Sequence, residues 1–415
     1  MNIFKLPKNI NRLPHVVWNR IIHTRYTLCY VLLTLLSTIV VLILQGLTAN
    51  LHTQALVLLQ DIYVKSGGDL SLLNSALGWN PAQNSIPYLW ALLDLKRLKD
   101  ENIFFVLLRL FQVYFGIDAI VRQSVIQLVA HTILEIMSIV FAGTQLYETN
   151  VCKNLATPAM DSILFDTAIH LSIAIISLLS VFTLIFAYLC RILRQEIGWS
   201  NYKRLGADQA QKHRYRLAQL FLLILKLDAF FHLVFCVFFF VVMTQENVYK
   251  RDSAAVVWYI FHLFVTLVQI PSFLLARRGV TLEKPRSMHI FLVFQVIFMI
   301  DFIIILQQTA NSWAYWVLAV CLAIALCITT IVLTIYVKRN FNMGLLVHMR
   351  HLFDDDDILN NDYGLQGKKS RDSWLIDDDI DPEFLSTNRD FVSTNQQGSN
   401  KIEIDDGGKT QLNNN

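Results

Sequence analysis

A carboxylate and a histidine stand four residues apart at three places in the chain: His131 with Glu135, Asp166 with His170, and Asp228 with His232. On a helix this spacing puts both side chains of a pair on one face. His262 and Asp301 add one ionisable group each. Imidazole and carboxylate together suit Zn2+, Mn2+ or a proton relay, the metals by ligand type and the relay because histidine titrates near neutral pH. Glu135, Asp166, His170, Asp228, His232, His262 and Asp301 form the candidate polar cluster, with Asp228 and His232 as the first candidates for a metal. Whether they converge stays open at this point. No catalytic signature accompanies them. There is no His-Glu-x-x-His motif and no activated serine, and Gly67-Gly68 lacks the lysine-serine pair of a phosphate loop.

The elements that must hold these groups are long apolar runs: Thr27–Leu47, Ile103–Val121, Val125–Tyr147, Ile163–Cys190, Leu217–Thr244, Ala254–Ala276, His289–Gln307 and Ala314–Val337. A helix rising 1.5 Å per residue needs about 20 residues to cross a 30 Å hydrocarbon layer. Hydrophobic residues make up 54% of the chain and charged residues 16%, with a mean hydropathy of +0.45. An ordinary soluble domain carries about a quarter charged residues, so the composition argues against a soluble multidomain enzyme. The expected fold is an all-α polytopic transmembrane bundle of eight spans. Ile103–Leu146 reads as a hairpin turning at Asp118–Ser124; taken as one span with an interfacial helix, it gives seven.

A charge at mid-bilayer costs about 2.5–3.5 kcal/mol on insertion scales, so intramembrane ionisable groups face the bundle interior and pair. Arg109 and Lys226 are the cations available, for instance to Asp118, Asp166 or Asp301. Lys226 and Asp228 are two residues apart and should point to different partners. No internal repeat is legible, and only Pro271 lies well inside a span.

Three segments divide the chain: 1–26, basic; 27–338, the helical bundle; and 339–415, an acidic tail expected to be disordered. The overall formal charge is +3, and the stretch after Arg339 holds 15 acidic against seven basic residues. Lys and Arg cluster in the N-terminal segment, in Arg191–Arg216 and in Arg277–Arg286, which predicts that these segments and both termini are cytosolic. Pro87–Asp100 has an apolar face at Leu89, Leu92, Leu93 and Leu95. It reads either as a helix lying in the headgroups or as one packed on the bundle. Trp258, Trp313 and Trp316 read as interface anchors. The six cysteines make no disulfide framework, and Cys29 and Cys190 read as buried thiols. Asp381-Pro382-Glu383 has the form of a di-acidic sorting signal, and Phe341–Leu352 of a short amphipathic helix.

The run from Glu196 to Asp208, with Tyr215-Arg216 and Leu223–Phe231, resembles an uncharacterised family of fungal multipass Golgi apparatus membrane proteins. Asp118-Ala119, Gln127, Phe341–Leu346 and Trp374–Asp378 are similar to it as well. The resemblance implies a Golgi address and a multipass fold, and no activity. The first functional expectation is a non-catalytic trafficking or organisation factor, with the bilayer and cytosolic sorting machinery as partners. The alternative is a proton- or divalent-cation-coupled transporter using the Asp, Glu and His residues. A membrane-embedded zinc hydrolase stands third. No nucleic-acid partner is expected, because the basic residues form only short juxtamembrane segments.

Overall fold

The computed structural model describes residues 13–22, 24–66, 87–157, 160–205, 209–245, 247, 249, 253–309 and 313–341. The acidic tail, including Asp381 and Glu383, and all but the first residue of Phe341–Leu352 lie outside the described residues. Among these residues every regular element is a helix: α1 Leu13–Ile22, α2 Arg25–Lys65, α3 Pro87–Val121, α4 Val125–Ala156, α5 Ile163–Leu205, α6 Gln209–Gln245, α7 Ser253–Thr281, α8 Pro285–Thr309 and α9 Ala314–Arg339. Eight of them, α2 to α9, are long and apolar enough to cross a membrane. Only helices satisfy their own backbone there, which is why runs rich in β-branched residues form no sheet.

The ends are set locally. Thr24 and Thr27 form a capping box at the start of α2, and Ser124 caps α4. Pro87 and Pro285 open α3 and α8, at the position where a missing N–H costs nothing. The Ile103–Leu146 hairpin is two helices, with the turn at Arg122–Ser124. The helix therefore runs through Gly116 and Asp118 to Val121.

The helices pack as two rings of four. In the first, α2, α3, α4 and α5 each touch their chain neighbours, and α5 closes on α2; in the second, α6 to α9 do the same, with α9 closing on α6. The rings share a feature that residue type alone hides. α3 ends at 121 and α4 begins at 125; α7 ends at 281 and α8 begins at 285, an offset of 160 residues. The central residues Gln123 and Glu283 both have left-handed backbone, at φ 49° and 46°. The N–H of Ser124 reaches the carbonyl of Ala119 (3.0 Å), and that of Lys284 reaches Gly279 (2.8 Å). Both are Schellman turns in the same register. Counted from them, Asn102 matches His262, Arg109 matches Gln269, Gln112 matches Ser272, and Glu135 matches Gln295, all buried.

A seam joins the rings, with α3 and α4 of the first against α6 and α9 of the second. Aromatic rings fill it: Phe111 stacks on Phe230 with centroids 4.0 Å apart, and Phe104 on Phe235 at 5.3 Å. Tyr315 meets Phe104 and Phe141 edgewise or tilted. Polar contacts pin both ends. Near the α3–α4 turn, Lys226 donates to Asp118 at 2.5 Å. At the other end, Trp313 Nε1 donates to Glu101 and the Tyr315 backbone N–H to Glu148, each at 2.6 Å.

Of the two readings of Pro87–Asp100, the structure agrees with the second, a helix packed on the bundle, and not with one lying in the headgroups. The segment is the first part of α3, and Leu89, Leu92 and Leu95 pack on Ala55, Leu59 and Tyr63 of α2 and on Cys152 and Ala156 of α4. Trp313 and Trp316 are not lipid anchors either, since both are buried in the seam. The six cysteines are all free, but Cys29 faces outward whereas Cys190 is buried.

Candidate functional site

In the first ring a buried cation meets a buried carboxylate. Arg109 Nη1 reaches both Glu135 oxygens at 3.0 and 2.9 Å and Gln112 Oε1 at 2.6 Å, with no exposed surface on the arginine. His131 Nδ1 meets the Tyr30 hydroxyl at 2.8 Å, and its ring fills the space over Gly116. Nearer the other end, the amides of Gln45, Asn102 and Gln145 bond one another at 2.6–3.0 Å, and Asn102 and Thr149 reach the two ring nitrogens of His52. Asp166 sits at the margin, half-exposed, accepting from Lys153 (2.5 Å) and Ser162 (2.8 Å). His170 is exposed. Glu135, Asp166 and His170 therefore stand apart from the remaining candidates.

The second ring brings the other four together. Asp228, His232 and Cys236 follow one another at intervals of four along one face of α6, and all three are fully buried. Their neighbours come from every other helix of the ring: His262 and Gln269 from α7, Gln295 and Asp301 from α8, Cys327 and Thr330 from α9. Thr330 donates its hydroxyl to Asp228 Oδ2. His232 Nε2 lies 3.8 Å from Asp228 Oδ1 but 3.1 Å from the Ala323 carbonyl. Because a carbonyl only accepts, Nε2 carries the hydrogen and is spent on Ala323. Asp228 and His232 are thus neighbours without forming a chelating pair. Cys327 Sγ donates to Gln295 Oε1 at 3.4 Å.

One helical turn further along α6 the geometry is tighter. His262 Nε2 is 3.0 Å from the Cys236 carbonyl, and Nδ1 is 2.8 Å from Asp301 Oδ2. Gln269 Nε2 donates to Cys236 Sγ at 2.8 Å. Ligand atoms of Cys236, His262 and Asp301 all lie within 4.8 Å of one another. Along this column Asp228 Oδ1, His232 Nδ1, Gln269 Oε1, Ser272 Oγ, Gln295 Nε2 and Asp301 Oδ1 are buried with no hydrogen-bond partner. Leaving such a group unsatisfied costs about 1–3 kcal/mol each. The first ring also holds unpartnered atoms, among them Arg109 Nη2 and His131 Nε2, but there the buried carboxylate Glu135 has a cation beside it, whereas the only basic group beside Asp228 or Asp301 is a histidine.

The chain matches no protein-family model, no curated protein and no solved structure. What the column can do therefore rests on its own chemistry. A buried strip of imidazole, carboxylate, thiol and amide, supplied by four helices, can hold a cation or pass protons.

Sequence reading found four members of this column by ion type. Cys236 and Cys327 fall within the apolar runs Leu217–Thr244 and Ala314–Val337 with nothing to set them apart, and Gln269, Gln295 and Thr330 are missed. A signal for Cys236 was present, since it continues the Asp228–His232 interval by four more residues. The amides and the threonine carry no such signal, because Gln and Thr occur on many span faces.

Proposed function

We propose that the protein is a cation transporter, coupled to protons or divalent cations, with the ring α6–α9 as its working part. The observation that carries this reading is the column itself: ionisable groups from four helices, fully buried, with six side-chain atoms left without partners. In the first ring the buried carboxylate Glu135 is matched by Arg109, whereas among the described residues no Lys or Arg pairs with Asp228 or Asp301. The shared turn and offset of the two rings also support it, because internal repeats are common in transporter folds. The trafficking expectation has its candidate residues, Asp381 and Glu383, outside the described residues. A Golgi membrane address rests on the family resemblance, and cytosolic termini rest on the distribution of Lys and Arg.

The test is flux. Full-length protein in proteoliposomes, with a pH dye or a metal dye trapped inside, should pass protons, Zn2+ or Mn2+ faster than protein-free vesicles do. Asp228→Asn should cut that flux about 10- to 100-fold, the usual cost of disturbing such a site, without changing monodispersity. Wild-type flux no greater than the protein-free leak for all three ions would overturn the reading.

A further inference from the structure

We infer that Cys236, His262 and Asp301 form a Zn2+ site, with Gln269 as the fourth ligand. The inference deepens the cation-transport reading and rests on it for its role, although the binding chemistry stands on geometry alone.

The argument begins with His262. Its Nε2 faces the carbonyl oxygen of Cys236 at 3.0 Å, and a carbonyl has no hydrogen to give, so Nε2 must donate. In the neutral ring this leaves a lone pair on Nδ1. That lone pair points at Asp301 Oδ2, an acceptor, only 2.8 Å away. Two lone pairs at that distance repel, so something positive has to lie between them. A proton is the minimum; a metal ion is the alternative for which the surroundings are furnished. A metal-bound histidine almost always donates its other ring N–H to a carbonyl or carboxylate, which fixes the tautomer and aims the free nitrogen at the ion. His262 has that arrangement before any ion arrives.

The other ligands follow. Asp301 is completely buried and its Oδ1 has no partner, so the carboxyl has an oxygen to spare. Cys236 Sγ lies within the same 4.8 Å group and is approached by the Gln269 amide at 2.8 Å. The carbonyl oxygen of that amide, Oε1, is buried and unpartnered. Turning the amide over about its terminal bond exchanges nitrogen for oxygen and offers a fourth donor beside the sulfur. One thiolate, one imidazole and two oxygens in a four-membered set suit tetrahedral Zn2+. Mn2+ favours oxygen ligands and higher coordination. Three helices supply the ligands, so the ion would clasp α6, α7 and α8 together.

The repeat gives an internal comparison. The counterpart of Gln269 in the first ring is Arg109, and there the guanidinium is the cation beside a buried carboxylate, Glu135. One ring carries its positive charge covalently, and the other has ligands where that charge would be.

The test is direct binding to detergent-purified full-length chain. Zn2+ counted by elemental mass spectrometry after desalting should reach one ion per chain. Co2+ added to the metal-free protein should give thiolate-to-cobalt charge-transfer absorption. That absorption should vanish in Cys236→Ser and persist in Cys152→Ser, which alters a buried thiol of α4 in the first ring. Gln269→Leu should weaken Zn2+ binding about 10- to 100-fold. Absence of both Zn2+ and the cobalt band from monodisperse wild type overturns the site, whatever the variants do. A band that survives in Cys236→Ser also overturns it. Proton flux without metal binding would remove the site and leave the transport reading standing. Metal binding without flux of any ion would support the site and remove the transport reading.

Discussion

Two buried carboxylates, Glu135 and Asp228, show what a single partner decides. Glu135 has Arg109 at 2.9 Å, whereas Asp228 has only the Thr330 hydroxyl and a histidine turned to a carbonyl. Removing one member of a buried ion pair strands the other, at a cost of about 3–5 kcal/mol. Arg109→Leu should therefore sharply lower the melting temperature in detergent, and adding Glu135→Leu should recover most of the loss. A double variant no more stable than Arg109→Leu would show that the arginine acts through packing instead. Lys226 and Asp228, two residues apart, do point to different partners, Asp118 and Thr330. Lys226→Leu should accordingly reduce the amount of protein reaching its membrane, and Asp228→Asn should leave that amount unchanged; quantitative blotting of membrane fractions separates the two. This divergence was legible from helix geometry alone. The partners were not, because spacing along one helix says nothing about which residues of another helix face it.

At the scale of the elements, helices, spans and the α3–α4 hairpin could be read from hydropathy, since a bilayer leaves the backbone little choice. What escaped was how far the helices continue beyond the apolar runs. α2 has 41 residues and α5 has 43, more than twice what a span requires. Their polar ends satisfy backbone groups as any helix does, without an apolar signal. Contacts between elements also have local consequences. A Cβ placed on Gly116 would lie 2.9 Å from His131 Nε2. Gly116→Ala should push the imidazole off the Tyr30 hydroxyl and cost about 1–3 kcal/mol, visible in a thermal melt. α9 has no cap of its own at Trp313; Glu148 of α4 caps it from across the seam. Glu148→Ala should cost about 1 kcal/mol and raise amide exchange at Tyr315 and its neighbours, leaving the centre of α9 protected. α6 is the helix that faces both ways, with Lys226, Phe230 and Phe235 in the seam and Asp228, His232 and Cys236 in the column. A rigid helix so placed would carry any displacement at the seam directly to the column.

For the whole molecule, the seam is heterologous: the first ring presents α3 and α4, and the second presents α6 and α9. One end is pinned by the Lys226–Asp118 ion pair, the other by hydrogen bonds to Glu101 and Glu148, and the middle by stacked phenylalanines. Chains cut at residues 206–208 and co-expressed should therefore co-purify, and Lys226→Leu should weaken that association; pull-down of one half through a tag on the other measures it. The repeat relating the rings was invisible in the sequence because it survives in turn geometry and in the register of buried polar positions, while the residues there differ in kind. Asn102 and His262, or Arg109 and Gln269, have no residue type in common, although each pair stands at the same count from the shared turn and is buried. Four spans per repeat have a further effect. Both rings traverse the bilayer in the same sense, so no rotation within the molecule exchanges one membrane surface for the other. A copy inserted upside down is consequently a different device from its neighbour. Vesicles that contain both insertions should display two apparent affinities for the same ion, one for each entrance.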